Sequence, residues 1–317
     1  MPNLLNTSQP CSGRKLRLGT RGSPLALAQA RELMRRLAAA HASEPEAIEI
    51  VPIKTAGDTI LHVALREAGG KGLFTKELDQ ALLAGAIGAG VHSAKDLPAV
   101  LPDGIAIAGY LPREDVRDAW ISPLAPHPSA LAAGSTIGTA SLRRAAMVKR
   151  LRPDVKIALL RGNVETRLAK IEKGEAAGTL LALAGLKRLG LEAKASCVLD
   201  AREFVPAAGQ GAIAVTVRSG DEAAKEFLAP VLDLATAIEL AAERAFLRVI
   251  DGSCKTPIGA NARLQGDMVS FHAIVLSPDG SQYFEAASSG PLTEAGFIGA
   301  SAGHKLLNQI PAGFLNA

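Results

Sequence analysis

Cysteine and aromatic residues are scarce in this sequence. The 317 residues include three cysteines, Cys11, Cys197 and Cys254, which stand far apart and form no C-x-x-C pair. This spacing excludes a zinc ribbon and gives no disulfide framework. Aromatic residues make up 3% of the chain, which leaves few side chains on which single-stranded bases could stack.

Long hydrophobic runs are also missing. No apolar stretch approaches the ~20 residues that a membrane helix needs, so we expect no membrane association. Residues 1–14 are polar and lack the apolar core of a secretory signal. We therefore expect a cytoplasmic protein whose residues 1–14, including Cys11, form a flexible tail.

The charge of the chain is basic but dispersed. The formal net charge is +4 and the pI is near 9.0, which by itself would suggest a nucleic-acid partner. The basic residues form no long runs, however, and arginine outnumbers lysine. Because the planar guanidinium suits bidentate contacts with carboxylates and phosphates, a small acidic ligand is favoured over nucleic acid.

The order of predicted elements indicates α/β units. Short apolar strands alternate with amphipathic helices twice, first from Leu16 to Val91 and again from Thr136 to Ala184. We predict N-caps at Ser23 and Thr75 in the first set, and helices Leu142–Leu151 and Val164–Glu172 in the second. A different pattern of one long helix, three strands and a final helix begins near Leu234. We predict domain 1 from residues 15–111 with 212–229, domain 2 from 117–205, and a small α+β domain 3 from 234–317.

Arginines recur where a predicted strand turns into a helix. In open α/β sheets ligands bind at the carboxyl ends of strands, and helix N-termini there favour anions. Ordinary surface ion pairs, worth ~0–1 kcal/mol each, are the alternative explanation for any single member. As a group they indicate a ligand with several carboxylates or phosphates: Arg21, Arg143, Arg144, Arg161, Arg167 and Arg188.

Two further segments carry reactive side chains. Asp96 lies in the loop 91–98 after a buried strand, where a carboxylate can act as acid, base or counter-ion. Cys254 lies in the loop 251–259 and is a candidate attachment point. His92 has no partner histidine at a metal-binding spacing, and we predict no metal site. The run Gly69–Gly72 lacks the P-loop pattern.

Eight segments in this order closely resemble the porphobilinogen deaminase (hydroxymethylbilane synthase) family. Each segment is weakly specific alone, but the ordered set is very specific and spans nearly the whole chain. The segments are 20–26 (TRGSPLA), 69–77 (GGKGLFTKE), 91–98 (VHSAKDLP), 138–144 (GTASLRR), 160–167 (LRGNVETR), 183–190 (LAGLKRLG), 206–211 (PAAGQG) and 251–259 (DGSCKTPIG).

The resemblance implies a fold and a site. The fold would consist of two doubly wound α/β domains like those of periplasmic binding proteins, followed by a small C-terminal α+β domain. Cys254 would carry a dipyrromethane cofactor through a thioether, and Asp96 would be the catalytic residue. The other implied cofactor contacts are Lys95, Ser93, Thr139, Ser141, Arg143, Arg144, Arg161 and Arg188. The implied substrate contacts are Arg21, Ser23, Gln29, Lys71, Arg161, Arg167 and Gln210.

The implied activity is the tetrapolymerisation of porphobilinogen to hydroxymethylbilane with loss of ammonia, by a monomer in the tetrapyrrole pathway. Asp96 would stabilise the cationic azafulvenium that forms when ammonia leaves. Two alternatives remain at this point. The chain could be a non-catalytic small-anion-binding protein of the same two-domain fold, or, on its pI alone, a nucleic-acid-binding protein.

Overall fold

A computed structural model describes residues 15–42, 44, 47–59, 74–250, 256–311 and 313–316, without the side chains of 58, 59 and 316. Three sequence-based predictions lie outside the described residues. They concern the flexible tail 1–14 with Cys11, the substrate contact Lys71 and the attachment residue Cys254.

The strands form three sheets, which we call the first, second and third sheet. The first sheet has the order β2-β1-β3-β10-β4, the second β7-β6-β8-β5-β9 and the third β11-β12-β13. The strands are β1 (Leu16–Arg21), β2 (Ile48–Ile53), β3 (Ala89–Ser93), β4 (Ile105–Tyr110), β5 (Asp118–Ile121), β6 (Thr136–Gly138), β7 (Lys156–Ala158), β8 (Gly178–Ala182), β9 (Cys197–Val198), β10 (Ile213–Arg218), β11 (Ile258–Gln265), β12 (Met268–Leu276) and β13 (Tyr283–Pro291).

Helices connect these strands, and local sequence explains where several begin. Ser23 caps the first helix with Pro24 at its first position, and Ser141 and Asn163 cap α4 and α5 through their side-chain oxygens. The helices are α1 (Pro24–Ala40), α2 (Ala56–Thr59), α3 (Lys76–Leu83), α4 (Leu142–Leu151), α5 (Val164–Glu172), α6 (Leu183–Arg188), α7 (Glu222–Leu228), α8 (Leu234–Ile250) and α9 (Ala295–Gln309).

The first and second sheets share one arrangement. Each has three parallel strands in the order second, first, third, followed by an antiparallel strand: β10 in the first sheet and β5 in the second. The chain passes to the second sheet between Tyr110 and Asp118 and returns between Val198 and Ile213. The parallel units expected from the sequence are confirmed, whereas the antiparallel strands were not predicted.

Each sheet has an apolar core. Leu18, Val91 and Val215 are buried in the first sheet, and Trp120 and Ile137 are buried in the second. In the third sheet, α8 and α9 pack on β11–β13 around a further core. The predicted fold class, two α/β units and a small C-terminal α+β unit, is therefore confirmed. No described helix is long and apolar enough to cross a membrane.

Candidate active site

Asp96 lies at the carboxyl end of β3, where a short 3₁₀ turn (Ala94–Asp96) follows the strand. It lines a pocket together with side chains from β1, α1 and the segment before α3. Four predicted site residues line the same pocket: Arg21, Ser23, Gln29 and Ser93. The structure thus brings Asp96 together with the predicted substrate contacts that belong to the first sheet.

The Asp96 carboxylate is left available for a ligand. Within the described part of the chain, it accepts no hydrogen bond and forms no ion pair. Two cationic side chains, those of Lys95 and Arg167, nevertheless lie within electrostatic range of it. A carboxylate held near cations but not paired with them can accept a hydrogen bond or stabilise a positive charge on a bound molecule.

Lys95 joins the turn of Asp96 to the loop that precedes β10. Its ammonium Nζ donates to Oε1 of the buried Gln210 at 3.3 Å. Burial and the neighbouring Arg144 lower the pKa of Lys95 to about 8, while Asp96 and Asp118 oppose that shift. Lys95 is therefore a cation whose charge near neutral pH depends on two carboxylates.

Arg143 and Arg144 are turned toward the protein interior. Both are 5% exposed, and both guanidinium groups pair with the fully buried Asp118 at the start of β5. Nη2 of Arg143 lies 2.7 Å from Oδ2, and Nη2 of Arg144 lies 2.8 Å from Oδ1. The two guanidinium groups hold the pKa of Asp118 at about 2, below its usual range, against the opposing effect of burial.

The sequence predicted that Arg143 and Arg144 bind a cofactor, whereas the structure shows both paired with Asp118. Nη1 of each arginine also donates to a backbone carbonyl, that of Val205 or Leu180. Among the described residues, Nε of Arg143 is the one buried guanidinium nitrogen without a partner. Their contact with a cofactor stays a prediction, and any such contact shares the guanidiniums with Asp118.

Arg161 and Arg167 lie near the same cluster, Arg161 before helix α5 and Arg167 within it. Nε of Arg167 donates to the carbonyl of Gly162 at 2.8 Å. Burial together with the nearby Arg144 and Arg161 lowers the pKa of Arg167 to about 10, and Asp96 opposes this effect. Like charges are thus gathered at the strand ends of the second sheet, an arrangement that a polyanionic ligand would stabilise.

The first α/β unit supplies the described side chains that line the pocket of Asp96. The guanidinium of Arg21 stacks on Phe74 at 4.2 Å, and Gln29 exchanges hydrogen bonds with Ser93 at 2.9 and 3.2 Å. Burial and Arg21 lower the pKa of His92 to about 4, and its Nε2 lies 3.0 Å from the hydroxyl of Thr216. His92 is therefore a neutral packing residue near neutral pH.

Arg188 is engaged by a carboxylate of the first α/β unit. Its Nε lies 3.2 Å from Oε2 of Glu32 on α1, and its Nη2 donates to the carbonyl of Gly211 at 3.0 Å. The residue thus lies beside Gln210 but is already paired. A ligand carboxylate that binds Arg188 would have to share it with Glu32.

The predicted hydroxyl contacts have local structural roles. Ser23 accepts the backbone N–H of Ala26, and Ser141 accepts that of Arg144. Thr139 is buried and accepts the N–H of Ser141 at 3.2 Å. Each hydroxyl keeps its proton for donation, so the capping roles are compatible with the predicted ligand contacts.

Sequence reasoning missed three charged residues that organise the site: Asp118, Arg113 and Glu243. Arg113 pairs with Glu239 and the fully buried Glu243 on α8, and its Nε donates to the carbonyl of Gln210. A signal for Asp118 was present in the sequence. It begins the apolar run of β5, and a charged residue there requires a buried partner.

Comparisons with known proteins settle the family. The model for "Porphobilinogen deaminase, dipyromethane cofactor binding domain" matches residues 16–226, and that for "Porphobilinogen deaminase, C-terminal domain" matches residues 237–308. The chain belongs to the porphobilinogen deaminase family. Deaminases from Nitrobacter winogradskyi and Nitrobacter hamburgensis are each 54% identical to it over 289 residues, covering 91% of this chain and 92% of theirs.

Among solved structures, a periplasmic substrate-binding protein of an ABC transporter from Coxiella burnetii aligns with 70% of this chain. The alignment covers 93% of that protein at 14% identity and a TM-score of 0.44. The family assignment rests on the sequence matches, which cover both the α/β part and the C-terminal part of the deaminase fold.

The residues of the site fit a dipyrromethane, whose pyrrole rings bear acidic side groups and N–H donors. The cationic Lys95, Arg161 and Arg167 suit the acidic groups, and the available Asp96 carboxylate suits the N–H donors. In the described ranges, no cluster of three or more His, Cys, Asp or Glu side chains could hold a metal ion.

Proposed function

We propose that this chain is a hydroxymethylbilane synthase, a transferase of tetrapyrrole biosynthesis. It joins four porphobilinogen units head to tail on a dipyrromethane attached to Cys254, releases one ammonia per unit, and frees the linear product by hydrolysis. The observation that carries the proposal is the Asp96 carboxylate, available among cations in a chain of the deaminase family.

Asp96 acts on the charge that appears when ammonia leaves. Breaking the C–N bond of porphobilinogen leaves positive charge on the substrate pyrrole, and a nearby carboxylate stabilises it. Because no described side chain pairs with this carboxylate, it can accept a pyrrole N–H and move a proton at the reacting carbon. We assign Asp96 as the catalytic residue.

The cations act on the acidic side groups. Arg161 and Arg167 on the second sheet, with Lys95 on the first, neutralise carboxylates that would otherwise repel one another as units are added. Arg21, with Ser23 and Gln29 in the same pocket as Asp96, holds the incoming substrate. Arg144 and Arg188 contact the ligand while they remain paired with Asp118 and Glu32.

The dipyrromethane, when bound, supplies the pyrrole carbon to which the first substrate unit is joined. The elements around Cys254 support its attachment there. Helix α8 ends at Ile250, and β11 begins at Ile258. The N–H of Ala260 on β11 donates to the carbonyl of Pro206, four residues before Gln210. The strand that follows Cys254 in the sequence is therefore hydrogen-bonded to the segment that leads to Gln210, which supports the proposed attachment.

We also infer that the enzyme is a monomer in the cytoplasm, with the three domains that the sequence predicts. All the side chains assigned to the site belong to one chain, so the proposed reaction needs no second copy. The described side chains that line the pocket come from the first α/β unit, and Arg167 of the second unit lies within electrostatic range of Asp96.

Intact-mass measurement of the full chain tests the covalent attachment. The wild-type protein is expected to exceed the mass of its sequence by one dipyrromethane, and Cys254→Ser to match its bare sequence and lack turnover of porphobilinogen. Cys197→Ser is the matched control, because Cys197 is half-buried in β9, and it should keep both the added mass and the activity. An active wild-type protein of bare mass would disprove the attachment.

The alternative function is a small-anion-binding protein without catalysis. It would bind porphobilinogen without releasing ammonia, and its affinity would not depend on Cys254. The match to the cofactor-binding domain over residues 16–226 favours the enzyme.

A further inference from the structure

Asp118 was not among the predicted site residues, yet it is the centre of a buried network that joins several of them. Its side chain is 0% exposed, and it accepts hydrogen bonds from Arg143, Arg144 and Gln210 at 2.7 to 3.2 Å. One carboxylate therefore balances two guanidinium groups in the protein interior. Buried charge of this kind is stable only when it is paired with good geometry.

Gln210 carries this network from the second sheet to the first. Its amide nitrogen donates to Oδ1 of Asp118 at 3.2 Å and to the carbonyl of Val116 at 2.8 Å. Its amide oxygen accepts from Nζ of Lys95 at 3.3 Å. The side-chain amide of Gln210 thus bridges Lys95, through its oxygen, and Asp118, through its nitrogen.

Two other contacts fix the position of Gln210. Nε of Arg113 donates to its backbone carbonyl at 3.0 Å. The N–H of the preceding Gly209 donates to Oε2 of Glu243 at 2.6 Å. With both its backbone and its amide held, Gln210 has little freedom to follow a displaced Lys95, so the network is rigid.

We propose that Asp118 is a positioning residue that keeps Lys95 charged and fixes Arg144 for the bound polyanion, acting through Gln210. This role rests on the proposed function, in which Lys95 binds an acidic group. Asp118 need not touch substrate or cofactor, and it holds Lys95, a cation near Asp96, in place.

The expected direction follows from the charges that face Lys95. Burial is the largest cause that lowers the pKa of Lys95, and Arg144 and Arg143 act in the same direction. Asp96 and Asp118 are the carboxylates that oppose them. Removing the charge of Asp118 leaves both arginines unbalanced, so the pKa of Lys95 falls further and the lysine loses its proton at a lower pH.

Acetylation of the full-length protein by limiting acetic anhydride at a series of pH values measures this directly. Only the unprotonated amine reacts, and peptide mass spectrometry reports Lys95 separately from Lys156, which is exposed on β7. We expect Asp118→Asn to lower the midpoint for Lys95 by about one pH unit and leave Lys156 unchanged. A folded Asp118→Asn protein with an unchanged Lys95 midpoint would overturn the proposal.

Asp154→Asn is the matched control. Asp154 also belongs to the second α/β unit and pairs with Arg152 at 2.7 Å, but at the surface. It removes the same charge outside the network, and the Lys95 midpoint is expected to stay constant. A shift of equal size in Asp154→Asn would show that net charge alone moves Lys95, and would overturn the specific role of Asp118.

Circular dichroism shows whether Asp118→Asn folds. If Asp118→Asn does not fold, Gln210→Met tests the proposal instead. This substitution removes the acceptor of the Lys95 ammonium and keeps the ion pairs of Asp118 with Arg143 and Arg144. The Lys95 midpoint is then expected to fall, and a folded Gln210→Met protein without this change contradicts the relay.

The labelling needs no turnover, so it separates this proposal from the proposed function. If the enzyme is active, the alkaline limb of its rate is expected to move with the Lys95 midpoint. A shifted midpoint in a protein that never consumes porphobilinogen would support the network and refute the synthase. An unchanged Lys95 midpoint in Asp118→Asn, together with consumption of porphobilinogen by the wild type, would refute the network and leave the synthase intact.

Discussion

The two α/β sheets each carry one aspartate near the site, and the molecule uses the two carboxylates in opposite ways. Asp96, at the end of β3, has no hydrogen-bond partner among the described residues. Asp118, at the start of β5, accepts hydrogen bonds from two arginines and one glutamine. The first carboxylate is held ready for a ligand, and the second is already satisfied by the protein.

This difference indicates a structural role for Asp118 and a ligand-binding role for Asp96. A satisfied buried carboxylate stabilises the arrangement of its partners but has little capacity left to accept a new hydrogen bond. An unsatisfied carboxylate near cations contributes little to stability and can respond to a charge that develops on a ligand. Substitution at the two positions is therefore expected to affect different measured quantities.

The largest expected effect on activity is that of Asp96→Asn. The amide keeps the shape of the side chain but cannot balance a positive charge on the substrate, so kcat is expected to fall by about 100-fold or more. The attached mass and the melting temperature should stay near those of the wild type. Steady-state turnover of porphobilinogen, intact mass and thermal unfolding measure the three quantities.

Asp103→Asn is the control for that loss. Asp103 is exposed in the loop before β4 and lies outside the pocket, so its amide variant should retain full activity. Substantial turnover in Asp96→Asn would remove Asp96 from the catalytic role and end the contrast with Asp118.

A smaller effect is expected where the loop of Gln210 packs on the turn of Asp96. Gly209 has φ of 76°, and a Cβ there would lie 2.8 Å from the N atom of Lys95 and 2.9 Å from the carbonyl carbon of Ala94. Gly209→Ala must therefore push two backbone segments apart. We expect it to lower both stability and kcat.

Gly190→Ala provides the comparison for backbone strain alone. Gly190 has φ of 67° with no heavy atom within 4 Å of a Cβ, so its substitution should cost about 1 kcal/mol and leave kcat unchanged. Chemical unfolding and turnover of both variants test this. Equal losses of stability and kcat in the two variants would show that the close approach of Gly209 to Lys95 and Ala94 contributes to neither.

The smallest expected effect concerns Arg188, whose partner Glu32 is more accessible than Asp118. If a substrate carboxylate competes with Glu32, then Glu32→Gln should lower the KM for porphobilinogen by about two- to fivefold, since partly exposed pairs contribute ~0–1 kcal/mol. Glu49→Gln, which removes the exposed partner of Arg17, should leave KM unchanged. An unchanged KM in Glu32→Gln would argue that Arg188 holds no substrate carboxylate.

Local sequence patterns predicted much of the fold. The helices Leu142–Leu151 and Val164–Glu172 are confirmed with the predicted bounds, and Ser23 caps α1 as predicted. These features depend on capping residues and apolar spacing within one segment. Thr75 occupies the predicted N-cap of α3 but makes no side-chain capping bond.

Local patterns could not predict which distant strands and side chains pair with each other. β10 joins the first sheet antiparallel after about a hundred intervening residues, and β5 and β4 are short runs whose partners lie elsewhere in the chain. The arginine positions indicated an anionic ligand, but not that Asp118 pairs with Arg143 and Arg144 across 25 and 26 residues. The roles of individual site residues came from the family resemblance and remain predictions.

The chain connects the two α/β sheets twice, through residues 111–117 and 199–212. Arg113 lies in one connection and Gln210 in the other, and the two are hydrogen-bonded to each other. Rotation of either sheet would therefore turn about the same peptides that hold Lys95 beside Asp96. A rotation that widened the space for a longer product would then also change the charge near Asp96.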